Sequence, residues 1–525
     1  MVVFKIKENG ENGLIQKRRV EKQMKITRRF LVIISLTIFI ISVFSACESS
    51  AHKAEVQNTE VHKAEAQNTE AQNTARDIQI TPQSTEIRTG ETANISLKGF
   101  DGEITWLSSD PYIANVNNGI VTGGHKGGTA AITAKTGEQT YTCTVANVAA
   151  MRDISPSEMV AEMKLGTNFA RSLDQIDWTR EIGYDDYKNP KLSGFDKIHY
   201  YLNKYFYIPT PKTLSDFSKA GYNAVRLNVS FTLFTDDKTF AIDKEFLDVL
   251  EETVNKFLDN GMYCIIDPHC DYMAYSWVGD KWDQNWMADK YKDYVDNRYA
   301  AIWSQVAERF KDYDEHLLFE AMNEPADGDK VYEKDGPYYG RYDEFERYNK
   351  KRVDELNELF VKTIRTTGGN NARRVLSVSP MKQFTQYLDD FTAPADDRLI
   401  VQMHYYFNSE DGSLVTSWKR DNPDDTKQID EAFDRIKKFK DRTGLPVILG
   451  EWGNAECLPI NDRIDQATYI INKAKNLGVP AFWWESTSIK HLDPDFDRWS
   501  LYNRTINKWY WPELIDAISA VVYNK

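Results

Sequence analysis

From Pro156 onward the chain alternates short apolar runs with longer amphipathic ones, and does so eight times. The apolar runs are Met163 to Asn168, Ala224 to Val229, Tyr263 to Pro268, Leu317 to Met322, Val375 to Ser379, Ile400 to Tyr405, Val447 to Gly450 and Ala481 to Trp484. Each has the length of a strand buried on both faces. Between them lie stretches with helical spacing, clearest at Lys244 to Asn260, Tyr299 to Phe310, Phe345 to Thr366, Ile429 to Thr443 and Arg463 to Leu477. Eight such alternations in about 370 residues predict an α/β fold, a (β/α)8 TIM barrel with insertions, over an open doubly wound sheet. No glycine-rich phosphate loop follows the first strand, which argues against a nucleotide site.

In a barrel of this kind chemistry sits at the carboxyl ends of the strands. Leu317-Leu318-Phe319-Glu320-Ala321-Met322-Asn323-Glu324-Pro325 reads as a buried strand that ends in an amide, a carboxylate and a proline. Pro325 has no N–H to give a neighbour, so the ladder is expected to stop there, with Asn323 and Glu324 at the rim. Leu445-Pro446-Val447-Ile448-Leu449-Gly450-Glu451-Trp452-Gly453 repeats the design. A lone strand-tip glutamate is better explained by an ion pair. Two on one barrel match what glycoside hydrolysis needs, one to protonate the leaving oxygen and one to attack or to activate water.

The polar residues at the predicted strand ends form a candidate site: Asn168, Arg226, His269, Asn323, Glu324, His404, Tyr406, Glu451 and Trp484. Taken singly, His269 has a reading as a satisfied core histidine, Arg226 as a buried ion-pair partner and Trp484 as packing. Together they converge on one rim.

Composition narrows the partners. A net charge of -14 argues against nucleic acid or an anionic polymer and is compatible with a neutral one. The aromatic content, 13 Trp, 28 Tyr and 25 Phe, suits sugar rings, although most of these side chains are needed for the core. The five cysteines, Cys47, Cys143, Cys264, Cys270 and Cys457, show neither metal-site spacing nor a disulfide framework, so no structural metal is expected, and hydrolysis by two carboxylates requires no cofactor.

Residues 1–47 read as a targeting segment. Lys25, Arg28 and Arg29 precede an apolar run from Phe30 to Phe44 and then Ser45-Ala46-Cys47. The ending resembles a bacterial lipoprotein cleavage site, which implies a lipid on Cys47; Phe44 departs from the usual aliphatic residue, and plain secretion is the alternative. Extracellular or cell-surface residence is expected either way. Residues 48–75, with a ten-residue near-repeat, are polar and read as a tether. Residues 76–149 hold closely spaced short strands and predict a small all-β sandwich. This stretch resembles the bacterial immunoglobulin-like group 2 domain through Ile104-Thr105-Trp106-Leu107-Ser108-Ser109-Asp110, Ile113-Ala114-Asn115-Val116, Asn118-Gly119-Ile120-Val121-Thr122 and Gly127-Gly128-Thr129-Ala130. A spacer is the implied role, with Trp106 and Cys143 in its core.

The barrel domain, residues 150–525, resembles glycoside hydrolase family 5, a retaining group among the TIM-barrel β-glycanases, over a stretch from Lys164 to about Ala520. Ala220-Gly221-Tyr222-Asn223-Ala224-Val225-Arg226 matches the second-strand motif, Leu317 to Pro325 the acid/base motif, His404-Tyr405-Tyr406 the sixth strand, and Ile448-Leu449-Gly450-Glu451 the nucleophile motif. Phe482-Trp483-Trp484 and Leu501-Tyr502-Asn503-Arg504 resemble the eighth strand and closing segment. The resemblance implies Glu324 as acid/base, Glu451 as nucleophile, Arg226 and Tyr406 holding Glu451, Asn323 on the sugar 2-hydroxyl, His269 and His404 positioning hydroxyls or Glu324, and Trp484 flooring a subsite. Cys270 replaces a second histidine common in relatives, and Glu485 stands where aspartate is common. The implied activity is an endo-β-1,4-glucanase acting on β-glucan, with mannanase or xyloglucanase as alternatives and a non-catalytic glycan-binding adhesin as the alternative of another class. Trp277, Trp282, Trp286 and Trp418 fall in loops, where each reads equally as a distal sugar platform or as packing.

Overall fold

The computed structural model describes residues 77–174, 208–231, 234–269, 286–327, 336–407, 417–454, 458–485 and 499–524. The predicted targeting segment and tether, and Cys270, Trp277 and Trp282, lie outside them. Residues 76–525 form one compact unit.

Its first part is all β. The strands are β1 (Gln79–Thr81), β2 (Ser84–Arg88), β3 (Thr92–Asn94), β4 (Ser96–Lys98), β5 (Thr105–Ser108), β6 (Ala114–Asn117), β7 (Ile120–Gly123), β8 (Gly128–Thr136) and β9 (Gln139–Val148). They pair as a four-stranded sheet β2-β9-β8-β5, a three-stranded sheet β3-β7-β6 and the pair β1-β4. Alternation decides which side chains meet: along β8 and β9, Ala130, Ile132, Ala134, Cys143 and Val145 turn inward and are buried. With Ile80, Ile87, Ile95 and Val121 they make a core of their own, and Trp106 packs against it.

Eight parallel strands then close into a barrel in chain order: β10 (Leu165–Leu173), β11 (Ala224–Val229), β12 (Tyr263–Pro268), β13 (Leu317–Glu320), β14 (Leu376–Val378), β15 (Leu399–Tyr406), β16 (Val447–Gly453) and β17 (Ala481–Trp483). All but a few of their residues are buried, as both faces of a covered parallel sheet must be. The covering helices include α1 (Pro156–Glu162), α2 (Pro211–Lys219), α3 (Lys244–Leu258), α4 (Lys292–Phe310), α5 (Tyr342–Thr366), α6 (Pro423–Thr443), α7 (Ile460–Asn476) and α8 (Pro512–Tyr523). Their ends follow local chemistry. Ser155 and Glu158 form a capping box on α1, and the Thr210 and Asn422 side chains accept from the first turns of α2 and α6. Gly444, in the left-handed region at φ 71°, ends α6 and turns the chain into β16. On α4 the stripe Tyr299, Ile302, Trp303, Val306 and Phe310 is fully buried.

β13 is shorter than expected, ending at Glu320 instead of running to Met322. The last ladder bond is Ala321 N–H to the Ser377 carbonyl at 2.9 Å, after which a side chain takes over from the sheet. Gln383 donates to the Met322 carbonyl (3.1 Å) and accepts from the Glu324 N–H (2.7 Å). Glu324 thus sits beyond the sheet on a segment held by an amide side chain.

Candidate active site

All nine rim residues expected from the sequence are among those described, and they converge at the carboxyl end of the barrel. Arg226, on β11, is fully buried and organises the floor. Its Nη1 donates to Glu451 Oε1 (2.6 Å) and Asn168 Oδ1 (3.0 Å). Its Nη2 donates to Glu320 Oε1 (2.7 Å) and Asn323 Oδ1 (2.7 Å), and its Nε to Glu320 Oε2 (2.8 Å). Asp267 Oδ1 lies 3.0 Å from the same guanidinium. Asp267, Glu320 and Glu451, surrounding it, hold its pKa well above the ordinary arginine value against the opposing effect of burial. Removing the guanidinium would leave three carboxylates in a site with almost no water contact, the arrangement in which losing one partner is most costly.

Glu451 comes from β16, and a bulge aims it. Met403 pairs with Leu449 and His404 with Glu451, so Gly450 is the extra residue. Glycine is needed there because a Cβ on Gly450 would lie 2.4 Å from the Gln402 side chain. Tyr406 donates its hydroxyl to Glu451 Oε2 (3.0 Å), so both carboxylate oxygens have donors pointed at them. Such a carboxylate is held in one orientation by charge-assisted hydrogen bonds.

Glu324 is more open, with 29% of its side chain exposed. Its backbone occupies the left-handed region at φ 38°, uncommon for a non-glycine residue and of a kind that gathers at functional sites. His404 Nδ1 lies 2.7 Å from Glu324 Oε1, and His404 Nε2 lies 3.1 Å from Gln402 Nε2. Burial lowers the His404 pKa to about 3, so the ring is neutral. The Gln402 amide donates, so Nε2 of His404 accepts and Nδ1 carries the proton given to Glu324. Gln402 is itself tied to Glu320 Oε1 (2.9 Å).

His269 and Trp484 stack, ring centroids 4.8 Å apart and planes 19° from parallel. His269 Nδ1 lies 2.6 Å from Asn228 Nδ2 and 2.8 Å from Asp267 Oδ2, and burial lowers its pKa. Asn168 is fully buried and orients others: its Nδ2 donates to the Gly450 carbonyl (2.8 Å) while its Oδ1 accepts from Arg226. Glu485 is also buried and accepts from the Leu501 (2.5 Å) and Tyr502 (3.2 Å) N–H groups, fastening the closing segment. Trp286 and Trp418 are 1% exposed and belong to the core, so neither is a sugar platform.

Sequence reading missed the layer beneath the rim: Asn228, Asp267, Glu320, Gln383 and Gln402. Three of these carried a usable signal. Asn228, Asp267 and Gln402 each lie two residues from a rim residue, Arg226, His269 and His404, and period two places them on the same face of the strand. Glu320 falls within an apolar run of the sequence, and its side chain is fully buried against Arg226.

Glu324, His404 and Glu451 offer donor atoms within 4.8 Å of one another. The Arg226 charge against Glu451 disfavours a metal cation there and leaves two carboxylates of different surroundings facing one space. Residues 184–489 match the family model Cellulase (glycosyl hydrolase family 5). The chain belongs to glycosyl hydrolase family 5. A cellulase/esterase of Acetivibrio thermocellus is 31% identical over 381 residues, 70% of this chain but only 40% of that protein. Endoglucanase B of Ruminococcus albus is 29% identical over 366 residues, covering 69% of this chain and 80% of the relative. Among solved structures, a lichenase from a Caldicellulosiruptor species in complex with cellotetraose is 26% identical with a TM-score of 0.59, covering 71% of this chain and 96% of that one. A broad-specificity endoglucanase from Ruminococcus champanellensis with bound cellotriose is 27% identical with a TM-score of 0.57, covering 70% and 99%. The family 5 chain is therefore a glycoside hydrolase, and its endoglucanase relatives support action on β-glucan.

Proposed function

We propose that this family 5 enzyme is an endo-β-1,4-glucanase that hydrolyses β-glucan with retention of configuration. Glu451 is the nucleophile and Glu324 the acid/base. The observation that carries the reading is the contrast between them: Glu451 is 5% exposed and bonded to Arg226 and Tyr406, whereas Glu324 stands more open and accepts from neutral His404. An oxygen of each lies within 4.8 Å of the other. That proximity suits the roughly 5–5.5 Å carboxyl separation of retaining enzymes and not the ~6.5–9.5 Å needed to seat a water in inverting ones.

In the first step Glu451 attacks the anomeric carbon while Glu324 protonates the departing oxygen. Esterification removes the negative charge of Glu451 and frees Glu324 to act as base toward water. Asn323, its Oδ1 held by Arg226, keeps its amide nitrogen for the sugar 2-hydroxyl; the His269–Trp484 stack supplies a wall for the cleaved sugar. Binding by the related lichenase and endoglucanase structures to cello-oligosaccharides supports a glucan over mannan or xylan.

The β-sheet segment before the barrel is assigned as a bacterial immunoglobulin-like spacer, residues 76–149, and the chain as secreted or anchored to the cell surface through Cys47. Incubation with soluble cellulose, lichenan, glucomannan, xylan and xyloglucan, reading reducing ends and following the product anomer by proton NMR, tests the activity. Rapid β-anomer release from cellulose and lichenan is expected. First-formed α-anomer overturns retention, and no release from any polymer supports a binding protein instead.

A further inference from the structure

At the amino end of the barrel, away from the catalytic rim, the loop between β7 and β8 meets the loop between α4 and β13. Gly127 N–H donates to the Asp312 carbonyl (2.8 Å) and Asp314 N–H to the His125 carbonyl (3.0 Å). Lys126 Nζ lies 3.0 Å from Glu251 Oε1 of α3. Within this seam His125 Nδ1 is 2.8 Å from Asp314 Oδ2, and His316 Nδ1 is 3.1 Å from Asp314 Oδ1. The three donor atoms lie within 4.8 Å of one another. The two imidazoles meet edge to face at 5.3 Å.

We propose that His125, Asp314 and His316 form a site for a transition-metal dication of the zinc class, which clasps the β-sheet segment to the barrel. Two imidazole nitrogens and one carboxylate are a donor set zinc prefers. Zinc bonds of about 2.0–2.2 Å in a tetrahedron separate donor atoms by roughly 3.3 Å, so the two pairs with Asp314 need open by only a few tenths of an ångström, and the two imidazole nitrogens already lie within 4.8 Å. Glu315 Oε1 lies 3.8 Å from His316 Nδ1 but is bonded to Arg152 Nε, so the fourth position falls to water. Asp314 is 2% exposed, which makes the site built into the seam, while 28% exposure of the His316 side chain leaves an entry path.

His125 supplies the second argument. Its ring meets two acceptors, the Asp314 carboxylate and the Leu258 backbone carbonyl. An imidazole with its second nitrogen on a backbone carbonyl is the usual arrangement of a metal-bound histidine. Sequence spacing hides the site, because its histidines belong to two different parts of the chain, His125 standing 189 positions from Asp314.

The clasp is independent of the catalytic reading, and the test keeps them apart. The full chain is stripped with chelator, dialysed at pH 7.5 and titrated calorimetrically with zinc chloride. One site per chain is expected, at least about tenfold weaker in His125→Ala and in His316→Gln and unchanged in Glu451→Gln, which alters the other three-donor cluster. Zinc should raise the Tm of the wild-type chain and not of His316→Gln, whose retained hydrolysis of polysaccharide shows an intact barrel. X-ray absorption on the zinc-loaded wild-type chain should show two imidazoles with oxygen ligands, a readout that needs no variant to fold. Binding no tighter than about millimolar, affinity unaffected by both substitutions, or a seam whose Tm follows pH and ignores zinc overturns the proposal and leaves a protonated His125 as the clasp.

Discussion

His404 Nδ1 lies 2.7 Å from Glu324 Oε1, and the ring that makes this bond is neutral because burial has stripped its affinity for a proton. The hydrogen bond therefore orients Glu324 without placing a positive charge beside it. A charged neighbour would favour the ionised form of Glu324 and work against the acid role proposed for it.

Substituting His404→Ala should lower kcat/KM on polysaccharide about 10–100-fold, by freeing Glu324 to rotate and by stranding Gln402. The loss should be much smaller for the glycosylation step of an aryl cellobioside with an acidic phenol, which leaves with little help. Pre-steady-state release of the phenol measures this. An equal loss on both substrates would mean that His404 supports Glu451 rather than Glu324.

Tyr406→Phe should behave differently. It removes the hydroxyl donor to Glu451 Oε2 while leaving Arg226 in place, so both glycosylation and deglycosylation slow, with kcat down roughly tenfold or more whatever the leaving group. Steady-state kinetics on the same two substrates checks it.

Gly450→Ala is expected to disturb the site from behind. The new methyl would press on Gln402, which is bonded to Glu320 and His404 and has nowhere to go. Stability should fall by about 1–3 kcal/mol in chemical denaturation, and activity more than the fraction unfolded explains. Retention of full activity would show that the bulge tolerates a side chain.

Glu320 gives a pH prediction. Burial, with Asp267 adding to it, pushes its pKa up to about 7 although Arg226 pulls the other way. The folded chain then binds more protons at Glu320 than the unfolded chain between about pH 4.5 and 7, so this group's contribution to stability falls as pH rises through that window. The stability difference between wild type and Glu320→Gln, by denaturant unfolding at several pH values, should shift against the wild type by on the order of 1–3 kcal/mol from pH 4.5 to 7. A flat difference would mean that the Arg226 pair keeps Glu320 ionised throughout.

The barrel was legible because each βα repeat writes its own signature: Ala224–Val229 and Tyr263–Pro268 are strands at the very residues that their apolar runs mark. The rim was legible because polar residues that interrupt such runs have few other places to be. What lay beneath it was harder to read. A buried Glu320 is stable only because Arg226 arrives from a strand 94 residues earlier, and nothing local to either residue states that pairing. Gln383 lies on a short turn after β14 with no periodicity to mark its face, yet it ends β13 and holds Glu324. Pro325 suggested where the ladder must stop, but that side chain stopped it sooner.

The most direct measurement is to ask which glutamate carries the sugar. The enzyme is incubated with a 2-deoxy-2-fluoro cellobioside bearing an acidic leaving group, which slows breakdown of the intermediate more than its formation, and the digested protein is sequenced by mass spectrometry. The account predicts one added disaccharide per chain, on Glu451, with Glu324→Ala also labelled and Glu451→Ala not. A label on Glu324, or inactivation without any covalent adduct, would contradict it.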